Sequence, residues 1–311
     1  MSRVRAFAPG TVANLGPGLD ILGLALKGAG DIVTVERASH GAIEIRSSGH
    51  PEIPVDPRSN TAGIAAAAVR RRAGADSAGL TLDVQKGLPL SGGQGGSAAS
   101  AVAAAIATDA LLGSALSRAD LLEACLEAEA AVAGRHADNV APSLFGGIVL
   151  VRALDPPDVV SLSFPESLLV VLAEPEQRLR TGEARERLPD SVSREIAIAQ
   201  AAQVGALVAA LAAGDLGLLR RAVLDRIAEP ARASLLPGFL EAKRAALDAG
   251  AFGCSISGSG PASFAFAAER DGAARVADAM IQAYRSRGVS ARARISRIDR
   301  EGARLLPRED R

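Results

Sequence analysis

Apolar and polar side chains alternate along residues 31–36 and again along 42–46, on either side of the turn-forming Ser39-His40-Gly41. This pattern predicts a pair of strands. Residues 80–84 alternate in the same way. The stretch 146–152 is short, β-branched and apolar, as a buried strand would be, and 168–173, 263–267 and the alternating 290–298 predict further strands. Helical signals lie between them. Residues 60–72 and 98–112 are alanine-rich, and Ser117 followed by Asp120 reads as a capped start that opens a helix toward Val132. Further helices are predicted over 193–213, 215–227, 238–249 and 271–287. Strands and helices in this irregular order predict α+β architecture rather than a regular βαβ repeat. The paired prolines in 153–157 mark a domain junction, and the polar end from Pro307 onward is expected to fray.

Composition narrows the class. A chain of 311 residues, 48% hydrophobic and 23% charged, suggests a soluble two-domain protein with a large core. Thirty-five basic residues balance 35 acidic ones, which argues against nucleic acid or an acidic membrane as partner. With aromatics at 3% and no tryptophan, stacking platforms for single-stranded nucleic acid are not expected. The apolar windows 98–112 and 196–213 are interrupted by Asp109 or by Gln200 and Gln203. They read as buried or half-buried helices, not membrane spans. The N-terminus has no signal-peptide pattern. Cys125 and Cys254 lie far apart without metal-ligand spacing, which suits reduced thiols and a cytoplasmic location.

The strongest chemical signal is Pro89-Leu90-Ser91-Gly92-Gly93-Gln94-Gly95-Gly96-Ser97-Ala98, a glycine run that opens the alanine-rich helix. Glycine lets the backbone approach a ligand closely, and a helix N-terminus presents unpaired N–H groups, so the combination predicts an anion site. No Gly-Lys-Ser/Thr follows, and the six-residue dinucleotide pattern fits poorly, so neither a Walker loop nor a dinucleotide fold is indicated. Ser97 is positioned either to turn its hydroxyl toward a phosphate-bound metal or to cap the helix. Lys86, just upstream, would place a cation near the phosphates.

Three spaced segments together resemble the GHMP kinases, the family of galactokinase and of homoserine, mevalonate and phosphomevalonate kinases. They are the run from Ala8-Pro9-Gly10-Thr11 through Asn14 and Asp20 to Ala25, the glycine loop, and Gly253-Cys254-Ser255-Ile256-Ser257-Gly258-Ser259-Gly260-Pro261. His136-Ala137-Asp138-Asn139-Val140-Ala141-Pro142, Thr181-Gly182-Glu183-Ala184-Arg185 and Asp225-Arg226-Ile227-Ala228-Glu229-Pro230-Ala231-Arg232 are similar to homoserine-kinase segments. At the glycine loop the family usually has leucine where Gln94 stands and serine where Gly96 stands.

The resemblance implies an α+β, two-domain GHMP kinase fold. Residues 1–154 would form a ribosomal-protein-S5-domain-2-like domain carrying the phosphate loop, and 155–311 a ferredoxin-like domain. It implies ATP and Mg²⁺ as cofactors, L-homoserine as the small-molecule acceptor, and homodimers, which are common in the family. ATP would be held by Pro89, Ser91, Gly92, Gly93, Gln94, Gly95, Gly96, Ser97 and Ala98, with Asn60 as a candidate adenine contact. Ser97 and Glu129 would hold the metal, with Glu127 as the alternative to Glu129. Asn14, Asp20, His136, Asp138, Arg185 and Arg232 would bind the acceptor; the two arginines suit a carboxylate because guanidinium meets it bidentately. Thr181, Asn139 and Lys86 would act in catalysis, Asn139 by orienting, since an amide is not a base. The same motifs are compatible with a kinase for mevalonate or shikimate, and with a non-catalytic nucleotide and metabolite sensor.

Overall fold

The computed structural model describes residues 3–307. Two antiparallel-rich sheets carry the fold. The first contains β1 (Arg3–Ala13), β2 (Leu22–Ala38), β3 (Ile43–Ser47), β4 (Gly79–Gln85), β5 (Ile148–Leu154), β6 (Pro157–Leu162) and the terminal β11 (Arg304–Leu305). Its spine runs β11-β1-β2-β4-β3. The long β2 pairs with β4 along its second half and with β5 through Leu22, Gly23 and Leu24.

The expected strand pair is present as strands but not as a pair. β4 lies between β2 and β3, and it runs parallel to β3 because helix α1 (Thr61–Arg72) carries the chain back between them. A parallel neighbour needs such a crossover, and a tight turn at 39–41 cannot say which strand comes to lie alongside.

Helices α2 (Gly96–Leu112), α3 (Arg118–Ala130) and α4 (Val140–Phe145) complete the first layer. Ser117 accepts from Asp120 N, the cap read from sequence. Helix α2 is buried on nearly every side, touching α1, α3 and strands β1 and β2. Its alanines allow that close approach and explain why it shows no amphipathic stripe.

β7 (Leu169–Pro175) opens the second sheet. Helices α5 (Thr181–Glu186), α6 (Arg194–Ala213), α7 (Leu216–Ala222), α8 (Ala228–Arg232) and α9 (Phe239–Asp248) follow, then β8 (Cys254–Ile256), β9 (Ser263–Ala267), α10 (Arg270–Ser286) and β10 (Ala291–Arg297). The order is β10-β7-β9-β8, with α9 and α10 packed on one face, the ferredoxin-like arrangement. The other face meets the first sheet: Val12, Leu22 and Leu24 share one core with Val170, Leu172, Phe264 and Phe266.

Two readings change. The junction expected at 153–157 is the turn of the β5–β6 hairpin, so the chain leaves the first sheet after Leu162, and β11 returns to it. The helix expected over 215–227 stops at Ala222. The Asp225 carboxylate then accepts from Ile227 N, Ala228 N and Glu229 N, and so starts α8. Helix α6 is long and apolar enough to cross a membrane, yet buries only Gln200, Leu207, Ala210 and Leu211 against its neighbours, leaving Ile198 63% exposed. Residues 308–311 of the end expected to fray lie outside the described residues.

Candidate active site

The phosphate loop connects β4 to α2. Its backbone turns left-handed at Ser91, Gly93 and Gly95, with φ of 52°, 70° and 65°. A Cβ on Gly95 would sit 2.1 Å from Thr11 Oγ1, and one on Gly93 would come within 2.7 Å of Ser257 O, so no side chain fits at either position. The loop is therefore pressed between the first and third glycine segments. Ser257 Oγ donates to Gly93 O at 2.6 Å, and Thr11 N donates to Gln94 O at 3.0 Å.

Gly95 is the N-cap of α2 and no side chain caps that end. The free N–H groups there face a cavity of about 650 Å³ lined by the loop, Ser97, Glu129, Asp20, Arg185 and Arg232. Pro89, Ser91, Gly92, Gly93, Gln94, Gly95 and Gly96 also line it, whereas Ala98 is buried behind the loop. Of the two uses open to Ser97, its hydroxyl takes the one facing the cavity. It donates to Glu129 Oε2 at 3.0 Å and lies 3.3 Å from Oε1.

Glu127 points elsewhere and binds Arg71 and Arg72. Glu129 bonds no cationic side chain among the described residues. Burial pushes its carboxyl up to about 7, against the pull of the Ser97 hydrogen bond and of Arg185. A hydroxyl and a carboxylate so placed form the all-oxygen pair that a hard divalent cation takes. Among the described residues no group of three or more His, Cys, Asp or Glu side chains gathers.

Lys86 lines the same cavity, with its ammonium already held by protein groups. It extends behind the loop, binds the fully buried Asp31, and donates to Gly96 O at 2.8 Å and Ser100 Oγ at 3.0 Å. All three ammonium hydrogens have protein acceptors, so it supports the loop rather than reaching freely for phosphate. Asn60 is likewise occupied: Oδ1 accepts from Ala62 N as the N-cap of α1, and Nδ2 donates to Pro54 O.

At the other end of the cavity, Asn14 has φ of 72° at the end of β1. It donates to Gly258 O at 3.0 Å and accepts from Asp20 N at 3.1 Å. Arg185 grips the Asp20 carboxylate with two hydrogen bonds of 3.0 and 3.1 Å, and His136 Nδ1 stands 3.7 Å from it. Burial pushes Asp20 up, but Arg185 and His136 outweigh it and hold the carboxyl below its ordinary value.

Arg232 is 3% exposed. It donates only to the carbonyls of Ala184 and Gly258, and no carboxylate pairs with it among the described residues. Helix α8 delivers it, held by the Asp225 cap and by Gln200, which bridges Asp225 to Pro17 O. Asp138 is buried beside Asp20 and Glu129, and burial followed by those two charges pushes it up to about 7. Asn139 Oδ1 accepts from Thr11 Oγ1 at 2.6 Å, which leaves its NH₂ as the free end. Thr181 is exposed at the start of α5, 3.5 Å from Ser259 Oγ.

Sequence reasoning therefore brought Ser97, Glu129, Asp20, Arg185 and Arg232 to one cavity, and passed over the supports Thr11, Asp31, Ser100 and Ser257. The signal for Asp31 was a charged residue opening an otherwise apolar strand pattern.

Comparison with known proteins bears on this geometry. Family models for the GHMP kinases N terminal domain and the GHMP kinases C terminal match residues 60–147 and 207–286. A homoserine kinase of Chlorobium phaeobacteroides is 41% identical over 98% of this chain and 100% of its own length. One of Arabidopsis thaliana is 42% identical over 97% of this chain and 84% of its own. The crystal structure of homoserine kinase from Cytophaga hutchinsonii superimposes with a TM-score of 0.94 at 38% identity, covering 98% of both chains. Galactokinase of Lactococcus lactis, at 17% identity and a TM-score of 0.72, shares the fold. With relatives so similar from end to end, and its loops, strands and paired domains matching theirs, the chain belongs to the GHMP kinase family.

Proposed function

We propose that this protein transfers the γ-phosphoryl group of ATP to the side-chain hydroxyl of L-homoserine, giving O-phospho-L-homoserine for threonine biosynthesis in the cytoplasm. The observation that carries this reading is Arg232, a buried guanidinium with no carboxylate partner among the described residues, beside the Asp20–Arg185 pair in the cavity that holds the phosphate loop. A buried cation of this kind calls for an anion. An amino acid supplies it: its carboxylate bridges Arg185 and Arg232, and its ammonium takes over Asp20. The apo pair thus holds in advance the two charges that a zwitterion replaces. Mevalonate and shikimate bring a carboxylate but no ammonium, and would leave Asp20 without a counterion.

Backbone N–H groups of the loop and of the α2 start hold the phosphates. Ser97 and Glu129 would hold Mg²⁺, which when bound would neutralise phosphate charge. The acceptor oxygen attacks the γ-phosphorus, the bond to the bridging oxygen of ADP breaks, and the hydroxyl proton passes to a γ-phosphate oxygen. Asn139 directs its free NH₂ at the acceptor hydroxyl and orients it, held by Thr11. Thr181 contributes a hydroxyl at the cavity edge, and His136 steadies Asp20.

The test is ADP release from MgATP with L-homoserine, mevalonate, shikimate or no acceptor. Turnover selective for homoserine supports the assignment. Turnover with another acceptor, or none despite ATP binding, overturns it.

A further inference from the structure

Gln94 sits in the middle of the phosphate loop and is 2% exposed. Its side chain is directed at the second sheet. Nε2 donates to Glu174 Oε1 at 3.0 Å, and Oε1 accepts from Arg294 Nη2 at 2.9 Å. Glu174 Oε2 in turn accepts from Arg292 Nε at 2.6 Å. Glu174 and Arg292 are register partners on β7 and β10, and Arg294 lies two residues further along the same face of β10. Both ends of one amide are thus engaged by two adjacent strands of the other sheet.

Leucine, the usual family residue here, fills similar space but meets neither group. The loop needs such a hold, because Gly93 and Gly95 on either side of Gln94 leave the backbone free to take many shapes, and contacts from outside the loop must select one. We infer that Gln94 is a positioning residue, a side-chain tether through Glu174 and Arg294 that keeps the phosphate loop in its anion-binding shape. This rests on the reading of the loop as the nucleotide-phosphate site.

A charge exchange tests it. MgADP is titrated calorimetrically into the wild type, Gln94→Glu, Glu174→Gln and the double variant. Gln94→Glu alone sets two carboxylates against each other, and MgADP binding weakens by about tenfold or more. Adding Glu174→Gln restores the donor between the strands, and affinity returns to within about threefold of wild type. Gln94→Glu within about twofold of wild type, or a double variant that recovers nothing, overturns the tether.

Where Gln94→Glu does not fold, Gln94→Leu serves. The KM for MgATP rises while that for the acceptor stays unchanged, and a KM for MgATP equal to wild type overturns the inference. A wild type that binds MgADP but does not phosphorylate homoserine removes the acceptor assignment alone, since the MgADP comparison still decides the role of Gln94.

Discussion

Replacing Lys86 by methionine separates a structural from a catalytic lysine. The Lys86 side chain is 10% exposed and its partner Asp31 is fully buried, so little solvent screens the pair. Removing one member of a buried ion pair costs about 3–5 kcal/mol, because the other charge is stranded. Asp31 would keep its bonds from Ser100 Oγ at 2.7 Å and Gly87 N at 3.0 Å, which favours the lower end, about 3 kcal/mol. For a chain of this size that is a fall in Tm of roughly 6 °C, at about 2 °C per kcal/mol. Lys86→Met combined with Asp31→Asn removes the stranded charge and recovers most of the loss. The assay is thermal and urea unfolding with turnover measured on the same preparations. Lys86→Met that melts within about 1 °C of wild type yet has lost turnover would refute the argument and return the lysine to the phosphates.

Under the proposed function, Asp20→Asn removes the anion assigned to the substrate ammonium, a charge-assisted contact of about 1.5–3 kcal/mol. The kcat/KM for homoserine therefore falls about 10- to 100-fold with the KM for MgATP unchanged; a parallel rise in the latter would count against the assignment. Asn139→Asp is expected to give no gain in rate, since the role proposed for it is to orient; a rate above wild type with a base-like pH profile would show that a base is missing. In the ligand-free protein, Glu129 and Asp138 are pushed up to about 7 from ordinary values of 4.5 and 3.8. Between those limits the folded state keeps protons that the unfolded chain releases, so stability falls as pH rises toward 7 and levels off above it. The depressed Asp20 and Glu127 act oppositely, but below about pH 4.5, and the lowered His136 opposes the trend below 6.5 as one group against two. Melting curves from pH 5 to 8 check the slope, which Glu129→Gln should reduce; a Tm rising through that window refutes it.

The glycine loop, its helix and the three spaced segments were legible because each is local: a run of small residues followed by a helix reads the same in any context. What stayed hidden depends on partners distant in sequence. Glu127 and Glu129 lie two positions apart on one helix, and only the arrival of Arg71 and Arg72 from α1 assigns one to the surface and the other to the cavity. The hold on Lys86 was hidden because Asp31, 55 residues earlier, gives no sign of lying beneath it. The order β2-β4-β3 escaped notice because alternation specifies a strand's face, not its neighbour. The break after Ala222 was visible in part, since Asp225 stands where a cap for α8 belongs, yet an apolar helical pattern on both sides masked it.

The return of β11 to the first sheet has a consequence for how the protein is made. Ala6 and Phe7 pair with Leu305 and Arg304, and the Arg304 guanidinium lies 4.5 Å above the Phe7 ring. A strand made early is thus covered by one made roughly 300 residues later. At roughly 5–20 residues per second, the interval between the two strands lasts about 15–60 s, and throughout that time one edge of β1 stands open to other strands. The glycine-loop half can condense early around its alanine helices, but it remains an unfinished sheet until β11 arrives. A truncation that removes only the last strand would therefore leave the catalytic groups intact and convert a transient hazard during synthesis into a permanent one.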